Sequence, residues 1–211
     1  MKYFVFALLL LVFFLKKSFS QTTDFQTWNS ATVEKSISKD WVAGIQEEIR
    51  FKDNSTRLRT SYTDIGLKYQ LSKSFDLSAA YRFIIKTDET SQRIYTDFSY
   101  EWEKGKWSVK PRVRLQHEFI TNDVDENYIR PQLTVRYKIS KKWEPFIEEE
   151  LFYHALYYKG SEFDESRTSA GTRFKFNKDH SLKIFYLYEY QFNVNDPLYA
   201  NVLGISYEFD W

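Results

Sequence analysis

The sequence lacks cysteine entirely and contains few residues that interrupt regular secondary structure. Among its 211 residues are no Cys, one Met, 4 Pro and 6 Gly. Without cysteine there can be no disulfide bond, thiolate metal ligand, cysteine nucleophile or lipid-modified N-terminal cysteine. The scarcity of Pro and Gly excludes a disordered or low-complexity chain.

An excess of either charge is also missing, since 30 Lys and Arg residues stand against 29 Asp and Glu residues. Nucleic-acid-binding proteins normally carry a basic excess, so nucleic acid is not an expected partner. After residues 3–15, no apolar run approaches the length of a membrane-spanning helix. Aromatic residues, in contrast, make up 19% of the chain.

The first twenty residues differ from the rest. A lysine precedes the apolar run 3–15, and Ser18 and Ser20 place small residues where a signal peptidase reads the chain. This pattern predicts a cleaved signal peptide over residues 1–20 and a single mature domain over residues 21–211. Two lysines directly after the apolar run leave a retained anchor as the alternative.

A short turn recurs along the mature chain. It is clearest in the sequences Ser38-Lys39-Asp40-Trp41, Ser72-Lys73-Ser74-Phe75 and Ser140-Lys141-Lys142-Trp143. Looser versions end at Trp107 and His180, and the chain itself ends at Trp211. Turn chemistry that recurs between alternating segments predicts repeated β-hairpins.

Apolar and polar residues alternate between these turns, most strictly over residues 41–52, 75–86, 107–119 and 129–139. Alternation over such lengths indicates strands about twice as long as those of soluble sandwiches, and long enough to cross an outer membrane. No segment has the helical periodicity of a crossover, which favours antiparallel pairing. The predicted fold is an all-β, antiparallel meander transmembrane β-barrel with short periplasmic turns and longer outer loops. A soluble periplasmic β-protein is the alternative.

The number of strands stays open between 10, 11 and 12. Eleven segments are found, although single-chain bacterial barrels normally have an even number of strands. Segment 24–37 alternates poorly, and without it ten strands would close. A hidden crossing within residues 21–37 would give twelve.

The final strand places Tyr207, Phe209 and Trp211 on one face. Alternating apolar residues that lead to a terminal aromatic resemble the signal by which outer-membrane barrels engage the barrel-assembly machinery. This strand therefore predicts that machinery as a partner, with outer-membrane lipid around a monomeric barrel.

Four stretches carry a resemblance to a known family: Asp24-Phe25, Glu47-Glu48-Ile49-Arg50-Phe51, Tyr81-Arg82-Phe83 and the ending 207–211. Across the mature domain the chain is similar to the DUF2490 family, whose members are described as outer-membrane barrels of unknown function. The resemblance implies the barrel fold and a location in the bacterial outer membrane. It implies no catalytic residues.

Opposite charges fall on the inward phase of neighbouring strands. The predicted lumen ion-pair ladder consists of Arg112, Arg114, Arg130, Arg136, Glu144, Glu148 and Glu150. Such pairs form across strands and fill the interior of a narrow barrel. They indicate either a structural barrel or a narrow, porin-like channel whose charged constriction selects small solutes.

Aromatic residues mark the end of the predicted barrel that carries the short turns. The predicted interfacial girdle consists of Trp41, Phe75, Trp107, Trp143 and Trp211. Rings of aromatic residues of this kind lie at the membrane interfaces of outer-membrane barrels.

No catalysis is inferred, and neither a metal nor a cofactor is expected. The alternative is a membrane-embedded acyl hydrolase that uses His154, at the start of loop 154–165, with Ser166 nearby as nucleophile. A solvated loop histidine is the simpler interpretation. Carboxylates in loops 120–127 and 154–165 are of the type that binds Ca²⁺, but no calcium-loop pattern accompanies them.

Overall fold

A computed structural model describes residues 23–87, 89–158 and 160–211. The predicted signal peptide, residues 1–20, lies outside the described residues. Within the described part of the chain, no helix is long and apolar enough to cross a membrane. The strands are β1 (Asp24–Ser36), β2 (Trp41–Lys52), β3 (Arg57–Gln70), β4 (Phe75–Lys86), β5 (Thr90–Tyr100), β6 (Trp102–Lys104), β7 (Trp107–Ile120), β8 (Glu126–Tyr137), β9 (Trp143–Ala155), β10 (Glu162–Lys175), β11 (His180–Gln191) and β12 (Tyr199–Asp210).

These strands form one closed barrel with eleven crossings of the wall. Strands β5 and β6 make a single crossing that is interrupted at Glu101, and both pair with β7. Each crossing pairs with the next one in sequence, and β1 pairs with β12 to close the sheet. The predicted barrel is confirmed, and eleven is the number of strands among the three that the sequence left open.

The pairing of β1 with β12 is parallel, which differs from the purely antiparallel meander that the alternation predicted. Its register runs from Asp24 opposite Ala200 to Glu34 opposite Asp210. An odd number of crossings places the first and last strands in the same direction, so their contact must be parallel. The poorly alternating segment 24–37 supplies this closing strand.

The repeated short turns share one hydrogen-bonding device. In the turn before β2, the Ser38 hydroxyl accepts a hydrogen bond from the Trp41 amide at 3.2 Å. Ser72 and Ser140 accept the corresponding bonds from Phe75 and Trp143, at 3.1 and 3.2 Å. In the looser turn before β11, the side-chain carbonyl of an asparagine replaces the serine hydroxyl. Side chains of these types stabilise turns by mimicking a backbone acceptor. We call this end of the barrel the turn end and the opposite end the loop end.

The wall of the barrel is apolar outside and polar inside. In β9 the side chains of Glu144, Glu150 and His154 are buried, whereas Trp143 and Ile147 are 48% and 63% exposed. Large hydrophobic residues are exposed in the same alternating phase on the other strands. This inverts the arrangement of a soluble sandwich and matches a wall that faces lipid.

Candidate functional site

The interior of the barrel contains a network of charged side chains, and three of the predicted ladder residues meet in it. Glu150 in β9 accepts hydrogen bonds from Arg112 in β7 at 2.6 Å and from Arg130 in β8 at 2.9 Å. Arg130 also donates to the side-chain oxygen of Gln116 at 2.9 Å. The two arginines thus hold one buried carboxylate between neighbouring strands.

The other two predicted arginines pair with acids that were not in the predicted set. Arg114 donates two hydrogen bonds of 2.7 Å to the carboxylate of Asp97 in β5. Arg136 pairs with Glu101, at the interruption between β5 and β6. Both acids were missed because the face of their segment was not assigned from the sequence. The register of β5 on β7, which sets Asp97 opposite Arg114, makes the assignment.

The remaining predicted acids contact partners other than the predicted arginines. Glu144 accepts a hydrogen bond from the Lys175 ammonium at 2.9 Å. Glu148 accepts one from the Thr134 hydroxyl at 2.8 Å. The seven predicted residues are therefore distributed over several contacts along the wall and do not form one continuous ladder.

A second group of ion pairs, which the sequence did not single out, lies towards the loop end. Arg82 donates hydrogen bonds of 2.8 and 2.5 Å to Asp64, and Arg93 pairs with Glu118. Arg59 reaches across to Glu189 at 2.8 Å. A register shift between β2 and β3 lies beside Arg59, and bulges of this kind redirect side chains. A bulge cannot be recognised from the alternation of polar and apolar residues, so the pair of Arg59 and Glu189 could not be predicted from the sequence.

Several of these guanidinium groups lie against aromatic rings. The centre of the Arg114 guanidinium is 3.8 Å from the Tyr95 ring centroid, and that of Arg130 is 4.1 Å from the Phe152 centroid. Stacking of this kind stabilises a cation and restricts its motion. The interior charges are therefore held in place by packing as well as by ion pairing.

The pairing of His154 with Ser166 is not found. His154 is not a solvated loop residue, because it lies within β9 with its side chain buried inside the barrel. Its Nδ1 is 3.4 Å from Asp164 Oδ2, and its ring stacks on Tyr128 at 4.5 Å. Ser166 instead donates a hydrogen bond of 2.8 Å to Glu149, on the outward phase of β9. The proposed nucleophile and base therefore lie on opposite faces of the wall.

The acidic loop over residues 154–165 is shorter than the sequence indicated, because β9 extends to Ala155 and β10 begins at Glu162. A register shift next to Asp164 turns both Asp164 and Glu165 towards the interior, where they are buried. Within the described ranges there is no group of three or more His, Cys, Asp or Glu side chains arranged to hold a metal ion.

The five aromatic residues of the predicted girdle all lie at the turn end. Trp41, Phe75, Trp107 and Trp143 begin β2, β4, β7 and β9, and Trp211 follows β12. The ring of Trp41 packs on Tyr69 at 4.8 Å, and the ring of Trp107 packs on Tyr137 at 4.7 Å. These positions surround one rim of the barrel, whose contact with a membrane interface stays a prediction.

A cavity of about 690 Å³ occupies the barrel interior. Its lining extends from Glu34 and Glu208 near the turn end to Glu118 and Glu126 near the loop end. Arg112 and Glu150 line it between these two ends. The charged network described above therefore borders a space that extends along the barrel.

Comparison with known structures identifies the architecture. A protein titled "Bacterial polysaccharide outer membrane secretin" superposes with a TM-score of 0.57 at 12% identity, over 80% of this chain and 63% of that one. The chain thus spans less than two thirds of that protein. A structure titled "NanC porin structure in rhombohedral crystal form" also gives a TM-score of 0.57, at 13% identity, over 90% of this chain and 100% of that one. At these identities the likeness concerns the fold alone, which is that of outer-membrane barrels and porins.

A comparison with curated proteins finds no match. The family described as "Protein of unknown function (DUF2490)" matches residues 25–199, a range that begins in β1 and ends at the start of β12. The match confirms the resemblance carried by the sequence, and the chain belongs to the DUF2490 family.

Proposed function

We propose that this barrel lies in the bacterial outer membrane and acts as a narrow channel with a charged, ion-paired lumen. The observation that carries the proposal is the interior cavity of about 690 Å³, whose charged lining extends from the turn end to the loop end. The exposed apolar side chains on the outer face suit a lipid environment. The likeness in fold to a porin supports the same conclusion.

The ion pairs would give such a channel both its width and its selectivity. Arg112 and Arg130 both pair with Glu150, which leaves a net positive charge on this group of three. A solute that passes this level would exchange part of its hydration shell for fixed charges. Small polar or charged solutes are therefore the expected cargo.

Conductance in planar lipid bilayers tests the proposal. The refolded protein is expected to produce discrete conductance steps. The Arg112→Ala variant is expected to give larger steps, because it removes a side chain from the cavity lining while Arg130 still pairs with Glu150. Lys141→Ala, in an exposed turn, serves as the control and should match the unmodified protein.

A structural barrel without transport is the second candidate. It is favoured by the depth at which Arg130 and Glu150 are held, since each is only 6% exposed. Absence of conductance steps from protein that is folded in the bilayer would support this candidate and contradict the channel. The same absence in Arg112→Ala would strengthen that outcome.

The route to the membrane belongs to the same proposal. Residues 1–20 would direct export, and β12, with Tyr207, Phe209 and Trp211 in phase, would engage the barrel-assembly machinery. The assembled barrel would act as a monomer surrounded by outer-membrane lipid.

A further inference from the structure

A second cavity, of about 570 Å³, lies at the loop end and is lined by residues of β2, β3, β4, β5 and β10. Seven of the twelve described residues that line it are Arg or Lys, and Glu89 is the only acid among those twelve. We call this space the cationic vestibule. Its volume falls within the range of small-molecule sites.

Two of the carboxylates that pair with these cations lie behind them, whereas Glu89, which pairs with Lys86, lines the space itself. The side chain of Glu189 is fully buried and that of Glu118 is 4% exposed, whereas their partners Arg59 and Arg93 are 21% and 17% exposed. A solute in the vestibule would therefore meet the guanidinium groups of Arg59 and Arg93 before it met Glu189 or Glu118. In these two pairs the positive end is the one nearer the space.

Two of the guanidinium groups are fixed in position. Arg50 donates a hydrogen bond of 2.5 Å to Glu48 and lies 3.7 Å from the centroid of the Trp28 ring. Arg82 is held by Asp64, and its guanidinium centre is 3.6 Å from the centroid of the Tyr62 ring. Groups held in this way lose little conformational entropy when they bind a ligand.

Lys52 adds a cation at the end of β2, and no ion pair holds it within the part of the chain that the structure describes. It can approach a ligand without breaking an existing contact. The vestibule therefore combines fixed guanidinium planes with an available ammonium group.

We propose that the cationic vestibule binds a small solute that carries two or more carboxylate or phosphate groups. Guanidinium forks match the geometry of both groups and form charge-assisted hydrogen bonds with them. The inference deepens the proposed channel function, since the vestibule would select anions at the outer mouth. Binding itself does not require conduction, so the two proposals fail separately.

Calorimetric titration of the refolded full-length protein in neutral detergent tests binding. Citrate and pyrophosphate are the two probes, with sodium chloride holding ionic strength constant and sucrose as the uncharged comparison. At least one of the two anions is expected to bind saturably, whereas sucrose is not. The anion that binds more tightly shows whether the vestibule prefers carboxylate or phosphate groups. If neither anion produces saturable heat beyond that of sodium chloride at equal ionic strength, the proposal is overturned.

Variants locate the site. Lys52→Gln is expected to weaken binding about tenfold, as for the loss of one charge-assisted hydrogen bond. The double variant Glu48→Gln with Arg50→Gln should weaken it at least as much, and it leaves no orphaned charge to disturb folding. Arg173→Gln with Glu208→Gln removes an equivalent pair, 3.0 Å apart, at the turn end and serves as the matched control. Equal affinity in all three variants would overturn the assignment.

Reversal potentials in bilayers under a salt gradient separate this inference from the channel proposal. Saturable anion binding without conductance would support the anion site in the vestibule and contradict the channel proposal. Conductance that prefers cations, together with no saturable anion binding, would contradict the anion site in the vestibule and support the channel proposal. Anion preference that declines in Lys52→Gln would support both.

Discussion

Gly171 in β10 stands directly opposite Phe185 in β11, where the two strands approach closely. A Cβ atom at position 171 would lie 2.3 Å from the Ile184 carbonyl oxygen and 2.7 Å from the Phe185 Cα. Because the obstacles are backbone atoms, rotation of a side chain cannot relieve the clash. At Gly44, in contrast, the nearest atom is the Glu34 Cγ at 3.5 Å, an ordinary contact.

We therefore expect Gly171→Ala to lower the free energy of unfolding by about 1–3 kcal/mol, the usual cost of overpacking. Gly44→Ala is the matched control, and it should change stability far less. Urea unfolding of the refolded protein, followed by tryptophan fluorescence, measures both. Equal unfolding midpoints for the two variants would contradict the packing seen at Gly171.

The ion pair of Arg82 and Asp64 makes a second prediction at this scale. Both side chains are less than a tenth exposed, so removal of one partner leaves an unpaired buried charge. Arg82→Met is expected to destabilise the barrel by about 3–5 kcal/mol. Addition of Asp64→Leu to that variant should recover most of the loss.

The exposed pair of Lys138 and Glu103 provides the control for that measurement. Its side chains are 40% and 52% exposed, so Lys138→Met should cost less than about 1 kcal/mol. The same unfolding experiment applies to all three variants. A comparable loss at positions 82 and 138 would show that burial does not set the energetics of these pairs.

At the level of individual residues, the alternating pattern predicted a set of inward-facing charges but not which of them form ion pairs. Arg112 and Arg130, both predicted on the inward phase, each pair with Glu150. His154 and Ser166 were brought together by nearness along a predicted loop. The register shift beside Asp164 separates them onto opposite faces.

At the scale of elements, the pairing of β1 with β12 distinguishes this barrel from one with ten or twelve strands. Ala31 and Tyr207 are direct partners in the parallel register. The chain contains no cysteine, so cysteines introduced at both positions would be the only thiols in it. The Cα atoms of two residues that are paired across neighbouring strands are close enough for a disulfide bond to join their side chains.

Ala31→Cys combined with Tyr207→Cys is therefore expected to form an intramolecular disulfide bond after mild oxidation. Peptide mass spectrometry of the folded protein would detect the cross-linked pair. The control combines Ala31→Cys with Leu203→Cys, which is four positions out of register. A barrel in which β2 closed directly on β12 would leave Ala31 outside the wall and give no cross-link.

Turns were the best-predicted elements because their chemistry is local. The serine of each clear repeat accepts hydrogen bonds from amides within the same turn, so its sequence neighbours suffice to specify it. Strand β1 was the hardest, since its neighbours on the two sides come from opposite ends of the chain.

For the whole molecule, closure of the sheet removes every free strand edge and satisfies the backbone inside the wall. Such a barrel is expected to resist dodecyl sulfate without heating. The protein should therefore sediment with outer membranes and migrate faster on gels when unboiled than when boiled. A chain that stayed in the soluble fraction and showed no shift would support the periplasmic alternative.

The sequence by itself determined the fold class, the phase of the most regular strands and the end of the barrel that carries the aromatic residues. These properties depend on alternation and on turn chemistry, which are readable within a few neighbouring residues. Tertiary structure alone decided the eleven crossings, the parallel closure and the partners of the interior charges. It also gathered cations from five strands into the cationic vestibule. Each of these depends on register and on closure, which bring together residues that lie far apart in the chain.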